Sequence, residues 1–343
     1  MTAAVFTDLQ HHDDGEGGTD FSSASRGAAH PWLRYFTRRI AHFVLSLFVL
    51  VTAVFALVHA VPGDPVRNAL GINASPEVIS ETRHQLGLDK PLWSQYGDYL
   101  HKLVSGQLGN SLISGQPVRQ TMTQALPATV ELVLCALIAA MAIAIPVGML
   151  VAIASQYGKG KAIHALFATG SGLLSVIPDF LLSVILVFVF AVTLRILPVA
   201  GQNGTSSYVL PVIALASGPT ALLARIARVE SQRVLGEEYM RTARAKRLPA
   251  RLLYVRHALP NLLTATLTVS GLVVSTLFSS VVLVETVFAW PGVGGALVQS
   301  VLAKDFPVIQ ALALFFGGAI LVVNLVVDIL ISRLDPRTSL KEG

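Results

Sequence analysis

The chain has 343 residues, of which 53% are hydrophobic and 13% charged, and its mean hydropathy is +0.64. Soluble domains carry about 25% charged residues, so this composition excludes a water-soluble globule, and it equally excludes disorder, which needs low hydrophobicity with high charge. The net charge is +5, and the single cysteine, Cys135, lies inside an apolar run, which excludes an intramolecular disulfide and a cysteine-based metal site.

Residues 1–30 carry acids, histidines, glycines and serines without a helical or strand period, and read as a disordered tail rather than a secretory signal. Behind them, residues 40–61 form 22 positions without a formal charge. As a helix they span about 33 Å, enough for a hydrocarbon core of about 30 Å. Further apolar runs occupy residues 128–154, 163–197, 208–224, 262–287 and 308–331. In lipid each must pair its own backbone polar groups, so each is expected to be a helix, and the absence of alternation excludes a β-barrel. The run 163–197 contains Pro178-Asp179 and is long enough for two short spans. The basic residues argue for one long span kinked at Pro178. With six spans and a cytoplasmic amino terminus, 18 of 25 Lys and Arg fall in cytoplasmic segments, and five of the other 7 lie in the long 62–127 loop. Both termini are therefore expected in the cytoplasm. The basic residues sit beside spans without interleaved aromatics, which argues against nucleic acid.

The outer loop 62–127 opens on Pro62-Gly63-Asp64-Pro65, which stops the first helix. A helix is expected over 76–86, with Ser75 as N-cap and Pro76 in its first turn. Another is expected over 92–103, with Trp93, Tyr96, Tyr99, Leu100 and Leu103 on roughly one face, as an amphipathic cover on the membrane or a docking surface. The inner loop 225–260 carries nine Lys and Arg against three Glu, a net charge of +6. Gly236 is expected to interrupt one helix there. Glu237 and Glu238 then start a second, where acids suit the positive end of the dipole. Thr242, Ala243 and Ala245 give that helix a small-residue face, Pro249 stops it, and a third run, 251–258, leads through Pro260 into the fifth span. Such a segment is either a docking element for another protein or a connector held to lipid headgroups.

Catalytic signatures are missing. Gly158-Lys159-Gly160-Lys161 lacks the upstream glycine and the hydroxyl of a phosphate loop, and no zinc-protease or serine-elbow motif occurs. Solute movement against a gradient would then draw on a partner or an ion gradient. Within the apolar runs the acids are Glu131, Asp179 and Glu285, with Asp328 near the end of the sixth. A charge in a bilayer costs at least about 2.5 kcal/mol, so each either lines a pathway or satisfies the bundle, and Glu131 and Glu285 could cap helix ends. Asn324 is expected to bond between helices.

The run Tyr239-Met240-Arg241-Thr242-Ala243-Arg244-Ala245-Lys246, with Leu259-Pro260, resembles the cytoplasmic "EAA" loop of bacterial ABC-importer permeases. Pro62-Gly63-Asp64-Pro65, Leu86-Gly87-Leu88-Asp89-Lys90-Pro91, Leu108-Gly109-Asn110-Ser111, Leu126-Pro127-Ala128-Thr129-Val130-Glu131, Ile177-Pro178-Asp179-Phe180, Val284-Glu285-Thr286-Val287-Phe288-Ala289-Trp290-Pro291-Gly292 and Leu334-Asp335-Pro336-Arg337 resemble, in order, the dipeptide/oligopeptide subfamily. The resemblance implies an all-α membrane protein with six transmembrane helices, the type I importer architecture, spanning residues 31–343 in the bacterial cytoplasmic membrane. It implies a second homologous permease, two ATP-binding subunits and an extracytoplasmic substrate-binding protein as partners, and no cofactor in this chain, with ATP and magnesium held by the ATPase subunits. It assigns ATPase coupling to Glu238, Arg241, Thr242, Ala243, Arg244, Arg247 and Pro260. Arg247 stands where the family has a glycine, so a similar path with altered turn geometry is expected. Glu131, Asp179 and Glu285 are the translocation-pathway candidates. Peptides are the expected solute, with nickel and glutathione open within the family. An intramembrane protease using Asp179 and a stand-alone ion-coupled transporter are the readings outside it.

Overall fold

The computed structural model describes residues 31–60, 65–70, 74–156 and 160–334. The expected tail, most of the Pro62–Pro65 turn, the turn at Gly158-Lys159 and the segment from Asp335 onward lie outside the described residues. Among the described residues the regular structure is helical, with one isolated bridge between Asn110 and Pro117.

The first span is α1 (Pro31–Ala60). The loop after it carries α2 (Pro65–Leu70), α3 (Pro76–Leu86) and α4 (Leu92–Val104). The Ser75 hydroxyl accepts from the Val78 N–H at the start of α3, and Gly87 closes α3 in the left-handed conformation at φ 71°. Helix α4 lies against α1 through a Tyr96–Thr52 hydrogen bond of 2.8 Å, a Gln95–His59 hydrogen bond of 3.1 Å and the rings of Phe55, Tyr96 and Tyr99. Tyr96, Tyr99, Leu100 and Leu103 are half-buried there. Trp93 departs from the expected face and projects outward, 84% exposed.

The core is built on α5 (Val118–Gln156) and α8 (Val209–Gly236). Along α5, Ala128, Leu132, Ala136, Ala140, Ala144, Gly148 and Ala152 recur every fourth residue, and the six that carry a side chain are buried. Small residues let two helix backbones approach closely, the packing that serves inside a bilayer, where apolar burial alone drives nothing. At Gly148 the approach leaves no room for a side chain: a Cβ would lie 2.6 Å from the Ala224 carbonyl oxygen.

Interhelical contacts settle the number of crossings. Glu131 near the start of α5 meets Tyr208 at the start of α8, and Gly148 meets Ala224, so α5 and α8 run parallel. The chain between them must therefore return from one end of the bundle to the other. That return is α6 (Gly160–Val176) and α7 (Asp179–Leu186), the latter continuing as a π-helical stretch, Val187–Thr193. The two are bent by 97°, far more than the kink expected of one long helix. Pro178 has extended backbone (ψ 139°), lacks an N–H and disfavours the α conformation before it, so α6 stops at Val176 and α7 restarts in a new direction.

A π-helical turn, Leu252–Ala258, feeds α10 (Leu259–Val287). Leu262 packs with Ile145 and Ala227, while Trp290, just beyond α10, reaches Ala128, so α10 runs against α5 and α8. A short apolar helix, α11 (Val293–Ala303), precedes the last span, α12 (Phe306–Leu334). Gly271 packs on Val327, and Ser275 donates to the Asn324 side chain at 2.5 Å, the interhelical bond expected of Asn324. Arg39 pairs with Asp328 at 2.8 Å and Gly317 packs on Leu50, tying α1 antiparallel to α12. Among the described residues, five helices long and apolar enough to span, plus the broken pair, make six crossings. Pro31 and Leu334 thus lie at the same end as the turn between α5 and α6.

Candidate functional site

At that end sits the inner loop. Helix α8 runs to Gly236, twelve residues past the expected end of its apolar run at 224, and Glu237 turns the chain with extended backbone (ψ 152°). Helix α9 (Glu238–Ala245) follows, with Glu238 in its first turn. Met240 and Ala243 point into a small core with Ala152, Val234, Leu235, Leu253 and Ala258. Ala243 is 8% exposed. The single small-residue face expected for α9 is therefore split: Ala243 packs inside, while Glu238, Arg241, Thr242 and Ala245 are exposed. Arg244 donates to the Leu235 carbonyl at 2.9 Å, fastening α9 to the last turn of α8. Tyr239 accepts a hydrogen bond from Asn261 of α10 at 3.0 Å. Pro260 lies in the first turn of α10, where its missing N–H is tolerated.

The helix ends at Ala245, before Pro249. Arg247 takes φ 52°, and the Leu248 N–H reaches back to the Ala243 carbonyl. The turn that glycine favours is thus made by an arginine, at a cost of roughly 1 kcal/mol. The expectation of an altered turn is corrected: Arg247 adopts the left-handed conformation itself.

The three pathway candidates have different surroundings. Glu285 is 0% exposed. Its carboxylate accepts from Thr129 Oγ1 at 2.6 Å, from the Gly294 N–H at 2.7 Å and from the Gly295 N–H at 3.1 Å, and Thr129 in turn accepts from the Val293 N–H at 2.8 Å. An acid and a hydroxyl thus satisfy the free N–H groups at the start of α11, at the positive end of its dipole. A Cβ on Gly292 would lie 2.1 Å from Glu285 Oε1. Glu285 is thus a buried internal cap of α11. Asp179 is half-buried at the break between α6 and α7, hydrogen-bonded by Ser280 of α10, with one carboxylate oxygen 3.7 Å from where a Cβ on Gly218 would lie. Glu131 is exposed at the other end of the bundle, bonded by Tyr208 and Gln202.

Two residues were not singled out in the sequence. Thr129 is the second half of the α11 cap. Asp305, buried between α11 and α12, accepts from the Ser111 hydroxyl and, at 3.1 Å, from the Leu112 N–H, clamping the Leu108–Ser111 motif to the α11 end. The signal for Asp305 is its place one residue before the Phe306-Pro307 start of α12.

This geometry defines a multi-pass helical membrane protein with six crossings and a short helix fastened to the end of a core span. The chain belongs to the family described as binding-protein-dependent transport system inner membrane component, whose model matches residues 144–340; the corresponding N-terminal model matches residues 32–133. It is therefore a permease of the ABC-importer type. It is 35% identical over 304 residues to the glutathione transport system permease protein GsiC of Escherichia coli O6:H1, covering 89% of this chain and 98% of the relative. The protein of that name from Pectobacterium atrosepticum is 36% identical, and that from Escherichia coli K12 is 34% identical, with the same coverage.

Proposed function

We propose that this chain is one of two permease subunits of an ATP-driven importer of small peptides, glutathione-type tripeptides among them. The α9 end faces the cytoplasm in this reading, in keeping with the concentration of Lys and Arg there. Of two cytoplasmic ATPase subunits, one grips α9, and an extracytoplasmic binding protein delivers the solute to the α11 end. The observation that carries the reading is the mounting of α9. Its inner side is packed on the ends of α5 and α8 and on the π-helical turn before α10, and Arg244 ties it to α8. A displacement of α9 therefore moves α8 as a rigid lever, while Glu238, Arg241, Thr242 and Ala245 remain free for a partner's groove. The bundle then rocks against its counterpart around a central pathway. Asp179, beside the break in the third crossing, is the residue of this chain best placed along it.

The glutathione reading is favoured among small peptides because the similar relatives carry that name. Co-expression with the companion permease, ATPases and binding protein, followed by reconstitution in proteoliposomes, tests both. ATP-dependent accumulation of dialanine or glutathione is expected. No ATP-dependent uptake of either, with the complex assembled, would overturn the proposal.

A further inference from the structure

At the α11 end, Glu131 projects from α5 with an exposed side chain, yet it is held from several sides. The Tyr208 hydroxyl donates to its Oε2 at 2.8 Å, and Gln202 Nε2 donates to the same oxygen at 3.2 Å. Gln202 also bonds Tyr208, so the two donors support each other. Tyr208 stands edge-on to Trp290, with ring centroids 4.7 Å apart, and Trp290 is buried and anchored by its indole N–H to the Ala128 carbonyl at 3.0 Å. Two residues of the 201–208 segment thus hold the carboxylate, and Trp290 of the turn after α10 braces one of them. Both donors take Oε2. Among the described residues no Lys, Arg or His forms an ion pair with Glu131.

A glutamate at a water-exposed helix end needs no such scaffold. A carboxylate fixed in direction with one oxygen open, and with the exposed apolar side chains of Leu134 and Ile138 next along the same helix, is a receptor for a compact cation on an organic body. We propose that Glu131, positioned by Tyr208 and Gln202, binds the primary ammonium group of the solute at the outer mouth of the pathway. The identity of that cation as a peptide amino terminus rests on the importer reading above.

The chain supplies its own reporter. Cys135, its one cysteine, is exposed one helical turn from Glu131 on α5. In the assembled complex in lipid nanodiscs, Cys135 is treated with a membrane-impermeant trimethylammonium thiosulfonate and with its sulfonate counterpart, and adducts on this chain are followed by mass spectrometry. A neighbouring carboxylate attracts the cationic reagent and repels the anionic one. The cation-to-anion rate ratio is therefore expected to fall on the order of tenfold in Glu131→Gln. Millimolar dialanine should slow the cationic reagent in the wild type, N-acetyl-dialanine should not, and Glu131→Gln should lose the protection. Glutamine still accepts from Tyr208, so a purely structural role predicts no amine-specific protection in the wild type and none to lose in Glu131→Gln, although the charge effect on the ratio would remain. Tyr208→Phe should weaken protection while leaving most of the charge effect. The proposal is overturned if Cys135 is unreactive in the complex, if the ratio ignores Glu131→Gln, or if both dipeptides protect alike. Amine-specific protection in a complex that shows no ATP-driven uptake would remove the importer reading and keep the ammonium site.

Discussion

Glu285 illustrates how a charge is tolerated deep inside an apolar bundle. Its three donors come from Thr129 on α5 and from two backbone N–H groups of α11. Truncation would leave all three unpaired, two of them buried. Glu285→Ala is therefore expected to cost about 3–5 kcal/mol, and Glu285→Gln about 1–3 kcal/mol because an amide presents one acceptor where two are needed. Thermal unfolding in detergent should show Tm falling in that order, with Thr129→Val between wild type and Glu285→Ala. An unchanged Tm for Glu285→Ala would mean that the cap contributes nothing. A second residue outside the spans has a titration to check. Tyr99 is pushed up to about 12, chiefly by burial and then by the neighbouring Tyr96. Its neutral form is the one the fold accommodates. Its contribution to stability is thus full below about pH 10, the unfolded value, and is lost as pH rises through about 12. Ultraviolet titration should show one tyrosine ionising about two units above the free phenol, and Tyr99→Phe should abolish that late step. The depth of the acids was legible in the sequence, because an acid in an apolar run is visible at once. Their partners were not: Thr129 and Glu285 are 156 residues apart, and only the packing of α5 on α10 brings them together.

At the scale of helices, several punctuation residues were read correctly from local signals, although α9 ends at Ala245, before the expected stop at Pro249. Ser75-Pro76 starts α3, which ends at Leu86 as expected, Gly236 closes α8 and Glu238 opens α9. The size of the break at Pro178 was not legible, since a modest kink and a 97° bend begin from the same missing N–H. Helix α11 was missed because its sequence, Gly-rich and only 11 residues long, has neither the length of a span nor a polar face. Its start depends on the distant Glu285 and Thr129. The end of α9 offers the element-level prediction. Arg247 holds a left-handed turn that glycine adopts without steric cost, so Arg247→Gly should raise stability by roughly 1 kcal/mol, reduced by glycine's greater freedom in the unfolded chain. Arg247→Val, with a β-branched side chain, should lower it. Tm values of the two variants falling on the same side of wild type would contradict the account of that turn.

For the whole molecule, six crossings place both described ends beside α9, and the function turns on whether α9 acts as a lever gripped from outside. Two neighbouring alanines separate the lever from its mounting. Ala243 is buried among Met240, Val234, Leu235 and Leu253, so Ala243→Glu forces a carboxylate into an apolar core and should lower both stability and uptake. Ala245 is exposed on the opposite side, so Ala245→Glu should leave the subunit's stability within about 0.5 kcal/mol of wild type and its Tm almost unchanged. If an ATPase groove closes over that surface, the added charge and bulk disrupt the contact. ATP-driven uptake by the reconstituted complex should then fall at least tenfold, and the ATPase activity that remains should lose its dependence on loaded binding protein. Thr242→Glu, on the same exposed surface, should behave as Ala245→Glu does. The pairing matters because loss of uptake alone has two causes, a broken fold and a broken contact, and the Tm of each variant tells them apart. Uptake undiminished by both Ala245→Glu and Thr242→Glu, in a complex retaining all its subunits, would place the motor's grip elsewhere and leave α9 as a membrane-surface connector.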